Sequence, residues 1–220
     1  MQENITTRGL LFDMDGVLIS SIGSVRRCWR KWCRHYGIPG ADTFEIPHGT
    51  RAIEIIQQIK PDIDPQEGLR LIEDLEIEDT EDLRVLAGVP ELLKSLPADR
   101  WTIVTSATRR LMLARLRIAG LPAPERLIAA EDVVNGKPHP EPYRRGAEIL
   151  GLPPQDCIVV EDAPAGVSAG LAAGSRVLGV LGTHQLEDLK EATWRVASLR
   201  DAVATVSDQG ALNLQIQAIG

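Results

Sequence analysis

The sequence predicts an α/β fold, in which a parallel sheet carries helices on both faces and a smaller helical domain is inserted into it. Three observations lead there. Short apolar runs end in acidic or hydroxyl residues, the segments between them have helical spacing and close on glycine, and one long stretch after the first run carries no strand signal.

Leu10, Leu11 and Phe12 form an apolar run leading into Asp13-Met14-Asp15-Gly16-Val17, which reads as a buried strand delivering two carboxylates at its C-terminal end. Residues 101–105 repeat the plan, followed by a helix expected over 108–119 and stopped by Gly120 and Pro122. A strand at 127–130, a helix at 140–150, a strand at 157–160, a helix at 165–173 and a strand at 177–180 continue the series, with Gly151 and Gly174 closing the two helices. Strands separated by helices pair in parallel, because each parallel pair needs a long crossover. Such sheets bind ligands at the C-terminal ends of their strands. The tail after Ser207 is ambiguous.

Residues 20–85 are composed differently. Val25, Trp29, Trp32 and Tyr36 share one helical face, with Arg26, Arg27, Arg30, Lys31 and Arg34 around the rest of the wheel, so the aromatic stripe reads as core. Helices are expected over 50–59, before Pro61, and over 65–75, giving a small bundle that acts as a lid. The expected division is 1–19 and 87–220 for the sheet domain and 20–86 for the insert, with short hinges near 19–21 and 86–90.

The bulk properties narrow the function. A chain of 220 residues with 44% hydrophobic and 25% charged residues has the composition of a folded globular protein, and its net charge of -7 argues against a broad nucleic-acid-binding face. Residues 1–8 lack the apolar run of a signal peptide, and no uncharged apolar stretch is long enough to span a bilayer. Cys28, Cys33 and Cys157 have no metal-ligand spacing and read as buried small hydrophobes of a reduced, cytoplasmic protein. A small-molecule partner is expected, with no nucleic acid and no membrane.

Chemistry gathers at the strand ends. Asp13 and Asp15 are suited to holding a hard cation and to attacking an electrophile, although a solvated turn accounts for the pair equally well. Glu161-Asp162 closes a second strand, so two carboxylate pairs can converge on Mg²⁺, which prefers oxygen ligands. Thr105 and Ser106 close a third, where they either hold phosphate oxygens or cap the next helix. Lys137 sits in the rigid turn Asn135-Gly136-Lys137-Pro138-His139-Pro140, placed to neutralise crowded carboxylates and phosphate.

Taken in order, Asp13-Met14-Asp15-Gly16-Val17, Thr105-Ser106, Gly136-Lys137-Pro138 and Glu161-Asp162 resemble the successive motifs of the haloacid dehalogenase superfamily, over nearly the whole chain. The resemblance implies a Rossmann-like core and a type 1 helical cap, as in the beta-phosphoglucomutase-like phosphatases. Residues 136–143, Glu161-Asp162-Ala163-Pro164-Ala165-Gly166 and His48-Gly49-Thr50-Arg51 look like glycerol-3-phosphate and 2-deoxyglucose-6-phosphate phosphatases.

Position by position, the resemblance makes Asp13 the nucleophile and Asp15 the acid and base. It gives Asp13, the Asp15 carbonyl, Glu161 and Asp162 to the metal, with direct or water-mediated contact by Glu161 left open. Thr105, Ser106 and Lys137 would hold the phosphoryl oxygens, and His48 and Arg51 of the cap would reach the substrate or regulate closure. The implied activity is Mg²⁺-dependent hydrolysis of a small sugar or polyol phosphate through an aspartyl-phosphate, by a monomer.

Ser20 departs from the commoner pattern of an aspartate there, which concerns the hinge rather than catalysis. A sugar-phosphate mutase is the nearest competing function, but Val25 occupies the position where such mutases carry a cap histidine. A non-catalytic interaction protein and a dehalogenase are the others. The intact charged motifs count against the first, and Asp15 and Asp162 count against the second.

Overall fold

The computed structural model describes residues 1–46, 49–207 and 210–219. In chain order its elements are β1 (Gln2–Thr7), β2 (Gly9–Phe12), β3 (Ile19–Ser20), α1 (Ile22–His35), α2 (Ala52–Ile59), α3 (Pro65–Glu78), β4 (Arg84–Val85), α4 (Val89–Ser95) and β5 (Trp101–Ile103). They continue with α5 (Arg109–Ala119), α6 (Glu141–Ile149), β6 (Cys157–Glu161), α7 (Pro164–Ala173), β7 (Arg176–Val180), β8 (Trp194–Val196), β9 (Ala202–Val206) and β10 (Leu212–Gln217).

Five strands form one parallel sheet in the order β5-β2-β6-β7-β8, with Leu10 opposite Trp101 on one side and Ile158 on the other. The central strand β2 is buried on both faces, and its side chains alternate as a strand requires. Leu10 and Phe12 join the core that includes Met112 and Leu116 of α5, whereas Leu11 joins the one that includes Tyr143 of α6 and Val167 of α7. Ile158 and Val160 divide from Cys157 and Val159 of β6 in the same way. The parallel α/β class is therefore as expected.

The helix ends follow the local chemistry. The Thr108 hydroxyl accepts from the Leu111 N–H at the start of α5, and Gly120, in the left-handed region at φ 66°, ends it. Asp64 caps α3 through the Gln66 N–H, with Pro65 in the first turn. Helices α1, α2 and α3 enclose their own apolar cluster of Cys28, Trp29, Trp32, Cys33, Ile55, Ile56 and Ile72. The Trp32 indole N–H donates to the Gly68 carbonyl at 2.9 Å, so even the polar end of that ring is satisfied inside the bundle. The two chain crossings into and out of this bundle are tied as the short antiparallel pair β3 and β4.

Two expectations needed correction. Residues 127–130 do not form a strand. Ile128 makes a single bridge to Val104, and the Asp132 carboxylate, accepting from the Ala129 N–H at 2.8 Å, turns the chain into a short 3₁₀ segment at Ala130–Asp132. The ambiguous tail belongs to a second, antiparallel sheet, β1-β10-β9, in which Leu212, Leu214 and Ile216 face inward and alternate with exposed residues.

Candidate active site

The site is built at the C-terminal ends of the parallel strands. Asp13 directly follows β2, and its N–H donates to the Val160 carbonyl at 2.9 Å, which ties the first carboxylate to the strand that ends in Glu161-Asp162. Lys137 arrives from the loop before α6 and is almost completely buried, at 3% exposure. Its ammonium donates to Asp13 Oδ1 and Glu161 Oε1, both at 2.7 Å, and to the Val104 carbonyl at 3.1 Å. All three ammonium hydrogens therefore have acceptors.

Glu161 acts as the scaffold of this group. Its Oε1 also accepts from the Tyr143 hydroxyl at 2.7 Å, and its Oε2 accepts from the N–H groups of Asp162 at 2.9 Å and Ala163 at 3.1 Å. Gly166 is required beside it, since a Cβ there would lie 1.7 Å from Glu161 Oε1. Asp162 takes the Thr183 hydroxyl on its own carboxylate. Gly16, at φ 88°, lets the first loop pass over it, because a Cβ at that point would meet Asp162 Oδ2 at 1.9 Å.

Oxygen atoms of Asp13, Glu161 and Asp162 lie within 4.8 Å of one another. One ammonium does not neutralise three buried carboxylates. Burial and the Glu161 charge raise Asp13 to about 7 despite Lys137, and burial with the charges of Glu161 and Asp13 pushes Asp162 well above the usual carboxylate range. Lys137 is held above the ordinary lysine value, because Asp13 and Glu161 outweigh the burial that opposes its charge. A second cation would relieve this strain, and an all-oxygen donor set suits a hard divalent ion. The cluster thus fits a divalent metal.

Asp15 sits in a different setting. Arg115 of α5, 3% exposed, donates through Nη1 to both Asp15 oxygens at 2.9 and 3.0 Å, and Ser21 donates to Oδ1 at 2.6 Å. Arg115 Nη2 reaches Glu76 of α3 at 3.0 Å, joining the sheet domain to the helical bundle. Thr105 accepts the Ala107 N–H on its hydroxyl at 3.1 Å, while the Ser106 hydroxyl donates to the Gly49 carbonyl at 2.6 Å. Asp13, Asp15, Thr105, Ser106 and Asp162 all line one cavity of about 100 Å³, whose opposite wall is formed by α1, α2 and α3.

Arg51 does not line that cavity. Its guanidinium grips the loop before Lys137, donating to the carbonyls of Ala130, Val133 and Val134 at 3.4, 3.0 and 2.9 Å and to Glu54 Oε1. His48 lies outside the described residues. Sequence reasoning missed Arg115, Glu73 and Glu76, yet each left a signal. Arg115 falls on the apolar face of α5 with Leu111 and Met112, and Glu73 and Glu76 fall beside Ile72 on the buried face of α3. Thr183 left none.

The comparisons agree with this construction. The family model for haloacid dehalogenase-like hydrolases matches residues 7–174. Hexitol phosphatase A of Escherichia coli is 39% identical over 213 residues, covering 94% of this chain and 99% of the relative. Glycerol-1-phosphate phosphohydrolase 2 of Saccharomyces cerevisiae is 34% identical over 200 residues, covering 86% and 80%. Among solved structures, a β-phosphoglucomutase from Clostridium difficile superposes with a TM-score of 0.72 at 25% identity, over 88% of this chain and 92% of that one. The chain belongs to the haloacid dehalogenase-like hydrolases. No helix among the described residues is long and apolar enough to cross a membrane.

Proposed function

We propose that this chain is a Mg²⁺-dependent phosphomonoesterase that hydrolyses a small sugar or polyol phosphate through an aspartyl-phosphate on Asp13. In this reading residues 1–19 and 87–220 carry the chemistry and 20–86 form a closing cap. The observation that carries it is a carboxylate at the end of the central strand, 2.7 Å from a buried lysine and grouped with two further acidic side chains.

Asp13 supplies the attacking oxygen, and Lys137 offsets the repulsion between that carboxylate and an anionic phosphoryl group. Asp13 and Asp162, with the Asp15 carbonyl, would hold the metal, and Glu161 supports them through Lys137 and the backbone of Asp162. When bound, the ion supplies further charge neutralisation and alignment of the phosphoryl oxygens. Asp15 gives its proton to the departing alcohol oxygen and takes one from water in the second half-reaction. Thr105 and Ser106 line the same cavity and would hold the phosphoryl oxygens.

Hydrolysis is favoured over isomerisation by Val25, which lines the cavity as an apolar side chain and has no polar atom to orient a returning sugar hydroxyl or take its proton. The named activities of the hexitol and glycerol-phosphate relatives support the substrate class. Three buried cysteines without disulfides agree with a cytoplasmic setting, where the chain acts as a monomer.

The test is Asp13→Asn. The variant is expected to lose aryl phosphate hydrolysis by about 1,000-fold or more in the presence of Mg²⁺. The wild type should also be labelled at Asp13 when hydroxylamine traps the acyl phosphate during turnover. Wild-type rates in the variant, or labelling at another residue, would dismiss Asp13 as the nucleophile.

A further inference from the structure

The catalytic cavity also holds charged groups that the attack by Asp13 does not use. Glu73 and Glu76 enter it from α3, and they are 7% and 6% exposed. Glu73 accepts from the Thr108 hydroxyl on Oε1 and from Arg110 on Oε2 at 3.2 Å, while Glu76 accepts from Arg115 at 3.0 Å. Each carboxylate is fixed in place, and each oxygen keeps further lone-pair capacity for a ligand donor. The same cavity also has apolar lining from Val25, Trp29, Ile55 and Ile72.

Arg115 supplies the complementary signal. Its Nε–H is buried and has no hydrogen-bond partner among the described residues, although Nη1 and Nη2 are both engaged. Arg195 Nε is a second unpaired donor among the described residues, but only Arg115 belongs to the cavity lining, where an unpaired donor marks a missing acceptor. We propose that Glu73, Glu76 and Arg115 form the subsite for the leaving alcohol, which takes an uncharged, hydroxyl-bearing chain and rejects leaving groups that carry a second charge. The proposal rests on the phosphomonoesterase reading above and deepens it.

The chemistry of the hydroxyl group decides among possible occupants. A hydroxyl donates to a carboxylate and accepts from a guanidinium, so neighbouring hydroxyls on one chain serve both kinds of partner. A carboxylate or second phosphate would satisfy only Arg115 Nε and would face Asp15, Glu73 and Glu76. Arg115 is already shared between Asp15 and Glu76, and Arg110 is half-exposed and paired with Glu73 and Asp74, so neither is left to neutralise a second anion. An ammonium would find the carboxylates but would face Arg115 and leave its Nε–H without an acceptor.

Three phosphate esters of similar size separate these cases: glycerol 3-phosphate, 3-phosphoglycerate and O-phosphoethanolamine. Each is compared by kcat/KM with Mg²⁺ present, and p-nitrophenyl phosphate serves as the reference for the chemical step. Glycerol 3-phosphate should exceed 3-phosphoglycerate by about 100-fold, the cost of placing like charges together in a buried site. It should also exceed O-phosphoethanolamine. Assayed above pH 7, where Glu76 is ionised, Glu73→Gln and Glu76→Gln each remove a charge in place and should narrow the glycerol phosphate to phosphoglycerate ratio by about tenfold.

Equal or better turnover of the anionic or cationic ester by the wild type overturns the proposal, as does a ratio unchanged in both glutamine variants. The wild-type arm needs no variant to fold. If p-nitrophenyl phosphate is hydrolysed but the preference is flat, only the subsite is wrong. If the wild type does not hydrolyse the aryl ester either, the phosphomonoesterase reading falls and takes the subsite with it.

Discussion

Two buried charge clusters lie a few residues apart in this molecule and are built on opposite plans. The first, Asp13, Lys137, Glu161 and Asp162, comes entirely from segments that follow or flank the parallel strands. The second, Asp15, Arg115, Glu73 and Glu76, takes its arginine from α5 and two of its carboxylates from α3 of the helical bundle. One is assembled by the sheet, so it persists wherever the bundle sits. The other is complete only while α3 is seated on α5. In the reading proposed above, chemistry belongs to the sheet domain and selection to the seam where two packing units meet.

The charge balance differs as well. One ammonium serves three carboxylates in the first cluster, whereas in the second Arg115 serves Asp15 and Glu76 and a further cation, Arg110, pairs with Glu73. Lys137→Met should break the first cluster most severely. Removing one partner from a buried ion pair costs about 3–5 kcal/mol, and loss of an electrostatic stabiliser costs about 100- to 1,000-fold in kcat. Thermal unfolding and aryl phosphate turnover read the two effects. A stable, active Lys137→Met protein would mean that the strand-end cluster is not under electrostatic strain.

Metal binding gives the next largest effect. Mg²⁺ at 100 times its dissociation constant adds about 2.7 kcal/mol to stability by mass action, which for a chain of this length raises Tm by roughly 5–10 °C. Asp162→Asn should abolish that rise while leaving the metal-free protein folded, since Asn retains an acceptor for the Thr183 hydroxyl. An equal rise in both proteins would place the ion elsewhere. This readout does not depend on turnover.

The two clusters also differ in how far they could be read from the sequence. The first announces itself because each member sits at the end of an apolar run or in a proline-bounded turn, and such positions reach the C-terminal edge of a parallel sheet whatever the details of packing. The second depends on the angle at which α3 meets α5, which no local pattern encodes. Arg115 looks like one more basic residue in an arginine-rich helix until its place on the apolar face is noticed. The antiparallel sheet was hidden for a related reason. Its strands β1 and β10 pair residues such as Gln2 and Gln217, almost the full chain apart, and each has only half-apolar alternation to show for it. Arg51 was legible as a cap residue, yet its contacts with three loop carbonyls come from tertiary structure alone.

Arg115 sharpens the comparison because it touches both the proposed acid and the bundle. Arg115→Met should lower kcat by about tenfold to 100-fold through loss of Asp15 orientation, and it should raise KM more for a polyol phosphate than for an aryl phosphate. Arg115→Lys keeps a charge but has no planar fork, so it should restore stability better than kcat. If both variants lose stability and turnover in proportion, with no difference between the two substrates, Arg115 is a packing residue.

The last effect, spread over a range of pH rather than read at one condition, is a pH dependence carried by Glu76. Burial raises this carboxyl to about 7, Arg115 opposes the rise, and the charges of Asp15 and Glu73 add to it, against an ordinary value of 4.5. Between those two values the folded chain holds a proton that the unfolded chain releases, so stability falls as pH rises through the window and is unaffected by this group below it. The full fall is on the order of 3 kcal/mol. Glu76→Gln resembles the protonated acid and cannot titrate. Denaturant unfolding of both proteins at several pH values should therefore show the wild type losing ground to the variant from about pH 4.5 to 7. Parallel curves would mean that Arg115 keeps Glu76 charged throughout, and that the cluster between α3 and α5 is a fully compensated ion pair rather than a strained one.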